Sequence, residues 1–333
     1  MFSRFCFIVV MFSILVWYGV AASQPTPAAK SYLDAIEFVK KGSYSEALPL
    51  LRSAVLDSAN FKEAQYNLGF TYEKLNLPDS AKVAYNAVLA LDSTFVKAHI
   101  DLGTLALRSQ DYATAIMHLR RATELDTSSA EAFLSLGAAL DQTNDLEGAL
   151  TALGRAIELK PDDSVARYQL ASTLSRKAAS AKDYPEVIAA YKRALELGPS
   201  LPGASTAAFS VARLYLGMSQ YDSALVYADE AVRMKPDLFQ AYFVKGKALE
   251  ALGKENDAVA AYKKAIEKKQ NYGNAHYALG VIYQKKEQWQ LALKEYKLAA
   301  KDSSFAQVPM AVKAAKTIED YLKQTAAQGT QGK

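Results

Sequence analysis

Residues 130–163, AEAFLSLGAALDQTNDLEGALTALGRAIELKPDD, contain the pattern that decides the fold. Apolar residues such as Phe133 and Leu136 recur at the three-to-four spacing of an amphipathic helix, first before and then after a polar break at 142–145. The Asn and Asp side chains of that break can cap the helix that follows. Pro161 ends this second helix, because proline lacks the N–H group that a helix interior needs. The stretch therefore predicts two helices joined by a turn within 34 residues.

The same unit recurs along most of the chain. A small residue opens each second helix at successive intervals of 34, 34, 34, 38, 37, 34 and 34 residues, at Ala47, Ala81, Ala115, Ala149, Val187, Ala224, Ala258 and Ala292. A further small residue lies twelve positions before most of these, and another seven positions after. Three registers in step indicate an array of eight repeats. We expect the small residues to mark close helix crossings, where a larger side chain would push the two axes apart.

These units resemble the tetratricopeptide repeat (TPR) family. The resemblance rests on a Leu-Gly pair in the first helix, a small residue opening the second and a proline after it, as in Leu136-Gly137, Ala149 and Pro161. It implies an all-α fold, a right-handed α-superhelix (solenoid) of helix-turn-helix repeats, over residues 28–306. The first unit has Asp34-Ala35 in place of Leu-Gly, which is typical of a capping unit.

Two irregularities interrupt the period near the middle of the chain. Four extra residues lie within Ser175–Asp183, and three more, Pro202-Gly203-Ala204, follow the fifth unit. Because four residues are close to one helical turn, we expect the first helix of that unit to lengthen without rotating its buried face. The region 175–204 then marks either a changed angle between repeats or a lip that contacts a specific partner.

The two ends of the chain have their own signals. Residues 1–23 combine Arg4, an apolar run and small residues, which predicts a signal peptide, followed by a linker over 24–27. The run from Phe5 to Ala22 has 18 residues, so an uncleaved membrane anchor is the alternative. At the other end, an apolar stripe predicts a capping helix over 307–323, before a disordered tail over 324–333; the stripe is Val312, Ala315, Ile318, Tyr321 and Leu322.

The composition excludes several classes of function. The chain has 39 Lys+Arg and 35 Asp+Glu, and a net charge of +4 over 333 residues is too weak to predict nucleic-acid binding. Cys6 is the single cysteine, which excludes an internal disulfide, a thiolate zinc site and an iron–sulfur cluster. His99 and His276 share one repeat position, which favours a packing role over a catalytic pair. We expect no catalytic residue, metal or cofactor.

The resemblance implies a concave groove lined by the first helices, with ligands touching a few fixed positions of each repeat. Six of the eight fifth positions are aromatic and the other two are aliphatic. Rings offer contact area at a low entropy cost, although a tyrosine here is also common in average repeats of the family. The family's clamp for a terminal carboxylate is not supported, since Tyr32, Ile36 and Asp101 replace its Lys, Asn and Arg. The candidate groove residues are Tyr32, Tyr66, Phe70, Ile100, Leu134, Tyr168, Arg176, Phe209, Arg213, Phe243, Lys247 and Tyr277.

Together these features predict a non-catalytic, exported TPR scaffold that binds a protein or peptide in its groove, with a role in cell-envelope assembly. The expected location is secreted or periplasmic, in a bacterial envelope, and membrane contact is expected only if the N-terminal segment stays uncleaved. In that case the chain would be anchored in the inner membrane and face the periplasm. The alternative function is a regulatory or substrate-presenting subunit of an envelope enzyme or secretion complex. The central groove rings, Tyr168 and Phe209, are expected to be removable without loss of the fold.

Overall fold

A computed structural model describes residues 26–331, with side chains through residue 326. This part of the chain consists of seventeen α-helices and contains no strand, which confirms the all-α fold class. The predicted signal peptide, 1–23, lies outside the described residues. Within 26–331, no helix is both long and apolar enough to span a bilayer.

The helices alternate between first and second members of successive pairs. The first helices are α1 (Pro27–Lys40), α3 (Lys62–Lys74), α5 (Val96–Arg108), α7 (Ala130–Gln142), α9 (Ser164–Lys177), α11 (Ala204–Gly217), α13 (Phe239–Ala251) and α15 (Gly273–Lys285). The second helices are α2 (Tyr44–Asp57), α4 (Pro78–Leu91), α6 (Tyr112–Leu125), α8 (Leu146–Leu159), α10 (Tyr184–Leu197), α12 (Tyr221–Met234), α14 (Glu255–Lys268) and α16 (Trp289–Ala299). The last helix is α17 (Val308–Gln331).

The chain divides into two compact units, one ending at Leu105 and the other beginning at Ala106. In the first unit, α1 packs on α2, α2 on α3, and α3 on α4. In the second unit, each helix from α6 onward packs on the next one through α17. Packing of consecutive helices in this way is typical of TPR solenoids.

Close helix crossings are confirmed, and their geometry shows what fills the space beside each glycine. The residue that lies against the glycine comes from the paired second helix, sixteen positions later, in the pairs Gly69–Tyr85, Gly246–Tyr262 and Gly280–Tyr296. A Cβ atom added at these glycines would lie 2.7, 2.4 and 2.7 Å from a ring carbon of the tyrosine. Gly137 meets Leu153 in the same way, at 2.6 Å. Even alanine is therefore too large at these positions.

Three of the four extra residues of the fifth repeat lengthen a linker and only one lengthens its first helix, so the expectation that this helix gains a full turn is wrong. Helix α9 ends at Lys177 with 14 residues, against 13 in α7, and the linker 178–183 has six residues where the linker 143–145 has three. The carboxylate of Asp183 accepts the backbone N–H groups of Ala179 and Ser180, each at 2.9 Å. These hydrogen bonds lower the pKa of Asp183. They satisfy two backbone N–H groups of the linker without a further helical turn.

A glycine with a left-handed backbone conformation follows the fifth repeat. Gly203 precedes α11 with φ of +97°, in the left-handed region that favours glycine. A Cβ atom there would also lie 3.0 Å from Cζ of Tyr168. Gly203 thus combines a special backbone conformation with a close approach to a candidate groove ring.

Helix α17 packs on α16, but it differs from the prediction in its buried face and in its length. Ala311, Ala315 and Ile318 are buried, whereas Val312 is 51% exposed. Tyr321 is 44% exposed, although its ring centroid lies 4.9 Å from that of Trp289. The buried stripe therefore begins one residue earlier than the apolar pattern indicates.

The segment predicted to be a disordered tail, 324–333, is helical through Gln331. No proline interrupts it, and its Gln, Thr and Ala residues extend a helix that has already formed at a low cost per residue. The hydroxyl of Thr325 donates to the carbonyl oxygen of Tyr321 at 3.1 Å. At the opposite end, α1 begins at Pro27, inside the predicted linker 24–27, with the Thr26 side chain accepting the N–H of Ala29.

Candidate functional site

Five of the six fifth-position rings pack against at least one other aromatic ring, and three of them, Tyr66, Phe243 and Tyr277, lie close to two. In α15, the ring centroid of Tyr277 lies 5.4 Å from that of Tyr296 on α16. On its other side, Phe305 lies 5.5 Å away, in the segment that follows α16. Tyr277 is half-buried as a result, and it offers only part of its ring to a ligand.

The same arrangement recurs in the rest of the second unit. Phe243 lies 5.7 Å from Tyr262 and 5.5 Å from Tyr272, measured between ring centroids. Tyr168 lies 6.0 Å from Tyr191. Each partner on the second helix is buried, so the fifth-position ring covers it from the side of the first helices. These aromatic residues therefore have a structural role whether or not they bind a ligand.

Two further candidates of the second unit are also half-buried. Phe209 packs against core clusters that include Ala212, Val211 and Ala228. Leu134 is half-buried on α7. Tyr168 joins the same core as Phe209, so removing both side chains would cost packing as well as groove surface.

In the first unit, the candidates follow the same pattern. Tyr32 lies 4.7 Å from Phe61, and Tyr66 lies 5.6 Å from Tyr85 and 5.2 Å from Phe95, again between ring centroids. All three distances join a fifth-position ring either to its own second helix or to the residue that closes the linker before the next first helix.

The remaining candidates of the first unit differ from one another in exposure. Ile100 is 6% exposed, so it belongs to the core and offers little surface to a ligand. Phe70 is half-buried, with its ring 6.1 Å from that of Tyr44 and with the ammonium group of Lys74 4.9 Å from its centroid. Of the two, only Phe70 keeps a partly open ring face.

The hydroxyl groups of the buried tyrosines reach back to the first helix. Tyr262 donates to Oε2 of Glu250 at 2.7 Å, and Tyr296 donates to Oε1 of Gln284 at 2.7 Å. Burial raises the pKa of Tyr296 to about 12, and burial together with Glu250 raises the pKa of Tyr262. Both hydroxyls stay protonated at neutral pH and act as donors.

The candidate cations have different surroundings. Arg176 donates from one guanidinium nitrogen to the carboxylate and the carbonyl oxygen of Asp141, and from the other to Oδ1 of Asn144 at 3.1 Å. It therefore ties α9 to the end of α7. Lys247 lies 3.2 Å from Glu250 of its own helix, whereas Arg213 is exposed on α11.

The two histidines at the fourth repeat position, His99 and His276, are buried, and each ring contacts a loop carbonyl. Nε2 of His276 lies 2.8 Å from the carbonyl oxygen of Gln270, and Nε2 of His99 lies 3.2 Å from that of Ser93. Nδ1 of His276 also lies 2.6 Å from Oε2 of Glu295. Burial alone would lower the pKa of His276, but these two hydrogen bonds raise it. Among the described residues, no group of three or more His, Cys, Asp or Glu side chains is placed to hold a metal ion.

A cavity of about 200 Å³ lies on the candidate face at the C-terminal end of the second unit. Its apolar wall is formed by Phe243, Tyr277, Val281 and Phe305, and Lys247 lies at its edge. Sequence reasoning found three of these five residues and missed Val281 and Phe305. Phe305 had a signal, because an aromatic residue also precedes α3, α5 and α15.

A second cavity, of about 330 Å³, opens on another face of α13. It is lined by apolar residues such as Leu225 and Tyr242 and by the pair Asp229–Lys245, whose charged atoms lie 2.6 Å apart. None of the predicted groove residues lines it.

Models of the TPR family match three segments of the chain: 62–95 and 100–164, both described as tetratricopeptide repeat, and 246–287, described as TPR repeat. A relative, small glutamine-rich tetratricopeptide repeat-containing protein 2 of Mycosarcoma maydis, is 37% identical over 109 residues. The matched part is 32% of this chain and 29% of that protein, so the chain spans less than a third of its length.

Solved structures share the fold at low sequence identity. The crystal structure of YrrB, described as a TPR protein with an unusual peptide-binding site, has a TM-score of 0.50 and 22% identity, over 57% of this chain and 95% of YrrB. The PilF protein of Pseudomonas aeruginosa has a TM-score of 0.55 and 18% identity, over 65% and 95%. A tetratricopeptide repeat protein of Parabacteroides merdae has a TM-score of 0.51 and 15% identity, over 78% and 98%.

Proposed function

We propose, starting from the tetratricopeptide repeats that this chain contains, that it is a non-catalytic scaffold which binds an extended segment of a partner protein along its first helices. The observation that carries this proposal is the surface formed in the second unit by the first helices α7, α9, α11, α13 and α15, which we call the first-helix face. Half-buried rings, a cavity of about 200 Å³ and exposed polar residues such as Thr206 and Asn274 lie on these helices. Rings held by packing offer contact area with little further entropy to lose.

The proposal extends to the organisation and the location of the chain. Eight repeats over 28–306 follow an N-terminal segment, 1–23, whose apolar run supports export to a bacterial envelope. The 18-residue length of Phe5–Ala22 supports a second form, in which this segment stays as an inner-membrane anchor and the repeats face the periplasm. The expected role is assembly of an envelope structure; presentation of a substrate to an envelope enzyme or secretion complex is the alternative.

Groove binding is tested by changing exposed groove positions that do not hold the fold together. The second position of the repeat is exposed on α9, α11 and α15. The triple variant Val165→Glu, Thr206→Glu, Asn274→Glu alters these three residues. A matched control is Ala189→Glu, Val226→Glu, Lys294→Glu, at exposed positions of the second helices. Partners are captured from the envelope fraction of the source organism and identified by mass spectrometry. We expect the groove triple to lose the partner and the control to keep it; the reverse result would contradict groove binding.

Export has a separate test. N-terminal sequencing of the native protein is expected to begin near Ser23 or Gln24. A chain that begins at Met1 and sediments with membranes would favour the anchored form.

A further inference from the structure

The cavity at the C-terminal end of the second unit has the size of a site for one side chain. Sites for drug-sized ligands and cofactors usually measure about 300–1,000 Å³, and this cavity measures about 200 Å³. Phe243, Tyr277, Val281 and Phe305 form its apolar wall, and Lys247, Glu250, Asn274 and Gln307 form its polar side. Phe305 is 4% exposed, and its ring is fixed against Tyr277. The cavity is therefore built by packed residues, and it fits an apolar side chain of a peptide.

The wall that holds Phe305 is itself anchored. The carboxylate of Asp302 accepts the backbone N–H of Gly273 at 2.8 Å, which ties the segment after α16 to the start of α15. A Cβ atom at Gly273 would lie 2.7 Å from Cβ of Phe305. The cavity thus depends on a feature of this chain, the return of the segment after α16 onto the first helices.

The first-helix face around the cavity has more positive than negative charge available. The charged or titratable side chains of α11, α13 and α15, tyrosines aside, are Arg213, Lys245, Lys247, Glu250, His276 and Lys285. Four of these six are engaged: Lys245 pairs with Asp229, His276 is buried against Glu295, and the Glu250 carboxylate holds both Lys247 and the Tyr262 hydroxyl. Arg213 and Lys285 are exposed, and neither forms an ion pair with a described residue.

We infer that the bound segment is an extended acidic peptide whose apolar side chain fills the cavity between α13, α15 and Phe305. This inference rests on the proposed function, because it names the chemistry of the segment that the first-helix face binds. An acidic side chain would meet Arg213, and a second one would share Lys247 with Glu250, the one carboxylate that α11, α13 and α15 supply.

The helix register gives the spacing between the apolar and acidic residues. Arg213 and Lys247 each lie four residues after a fifth-position ring, on the adjacent helices α11 and α13. Packed helices are about 8–10 Å apart, and an extended peptide advances about 3.3 Å per residue. Three residues advance the peptide by about 10 Å, roughly one helix spacing, which brings an acidic residue from the cavity beside α13 towards Arg213 on α11.

The probe is a fluorescein-labelled heptapeptide with leucine in the centre and glutamate three positions away on both sides, so that either direction of binding is covered. Two control peptides replace the leucine by serine or both glutamates by lysine. Binding to the chain beginning at Gln24 is followed by fluorescence anisotropy. We expect the Leu/Glu peptide to bind at least tenfold more tightly than either control. Equal binding of the three peptides, or no binding of the Leu/Glu peptide at millimolar concentration, would overturn the inference.

Variants locate the bound peptide. Val281→Phe fills the cavity and is expected to weaken binding at least tenfold, whereas Val226→Phe, on the exposed face of α12, leaves it unchanged. Arg213→Gln is expected to weaken binding three- to tenfold and to reduce its salt dependence, with the exposed Lys263→Gln as control. Circular dichroism checks that each variant is folded. Unchanged affinity in Val281→Phe, or dimerisation of the chain that Val281→Phe abolishes, would overturn the assignment.

Failure of this inference differs from failure of the proposed function. If the captured partner is lost from the groove triple but is insensitive to Val281→Phe and Arg213→Gln, the groove binds and the cavity is not its anchor site. If the groove triple itself keeps the partner, the proposed function is wrong.

Discussion

Two repeats of the second unit form the same contact between aromatic rings from different sequences. In α13–α14, Gly246 lies against the ring of Tyr262, and a linker of three residues joins the helices. In α9–α10, Ala171 occupies the equivalent position, Tyr191 supplies the ring, and the linker has six residues. The first is the regular repeat below, and the second is the irregular repeat.

Both repeats keep the same contact despite this difference. The second-helix tyrosine lies 5.7 Å from the fifth-position ring in the regular repeat and 6.0 Å from it in the irregular one. Three of the four inserted residues lie in the linker 178–183 and the fourth extends the end of α9, so the insertion does not reach the crossing. In these two repeats the ring contact is the constant element, while linker length and the glycine differ.

The largest expected effect comes from removing the constant element in both repeats. Tyr262 is fully buried and Tyr191 is 4% exposed. Tyr262→Ala and Tyr191→Ala are each expected to lower the free energy of unfolding by about 3–5 kcal/mol, as for other large aromatic deletions in cores. Urea unfolding followed by circular dichroism measures both. A loss below about 1 kcal/mol for Tyr191→Ala alone would show that the irregular repeat does not depend on its ring.

The glycine of the regular repeat is the next largest effect. Gly246→Ala places a Cβ 2.4 Å from the Tyr262 ring and is expected to cost about 1–3 kcal/mol. Gly154→Ala is the matched control, since this helical glycine has nothing within 4 Å of the added atom. It is expected to stabilise the protein by about 0.5–1 kcal/mol. Equal effects of the two substitutions in urea unfolding would remove the packing argument.

A smaller, pH-dependent effect distinguishes the irregular repeat from the last repeat, α15–α16. At the fourth repeat position, His276 contacts the carbonyl of Gln270, and Arg167 of the irregular repeat donates to that of Pro161 at 2.8 Å. Because the pKa of His276 is raised in the folded state, its stabilisation is present below the unfolded value of about 6.5 and is lost as pH rises through the folded value.

Melting temperatures of wild type and His276→Gln at pH 6 and pH 9 test this. We expect a larger difference at pH 6 than at pH 9. Arg167→Gln should show the same difference at both pH values, because arginine stays charged. A His276→Gln effect that grows at pH 9 would contradict a buried imidazolium.

The smallest expected effect is a deletion. Removing residues 178–181 restores the 34-residue spacing in the irregular repeat, and it shortens a linker that lies outside the ring contact. Since loop length has a weak effect on stability, we expect a change within about 0.6 kcal/mol. A loss of several kcal/mol in urea unfolding would show that the linker supports the crossing.

The sequence predicted the helix pairs and the small residues at the crossings, because both recur along the chain at a fixed spacing. It did not predict which side chain packs beside Gly246, since the Tyr262 ring comes from another helix. For the same reason, it did not show that Tyr168 and Phe209 pack against a core, and survival of the fold without both side chains stays a prediction. The spacing of residues along the sequence also did not show that the insertion forms a linker ordered by hydrogen bonds to Asp183.

The candidate site was predicted in part. Phe243, Tyr277 and Lys247 were placed on one face by their repeat positions, and the structure brings them to one cavity. The cavity exists because Phe305 returns to α15 from beyond the last pair, a contact between distant parts of the sequence. Ile100 holds a groove position by its number but lies in the core.

The most direct test of the central claim, that the first-helix face binds the partner, is site-specific photocrosslinking within one repeat. A benzophenone amino acid is placed at Asn274 on α15 or at Lys294 on α16, both of which are exposed. The folded chain is irradiated with its captured partner, and the products are separated by mass. We predict a crosslinked partner from position 274 and none from position 294. A crosslink from 294 with none from 274 would contradict the claim.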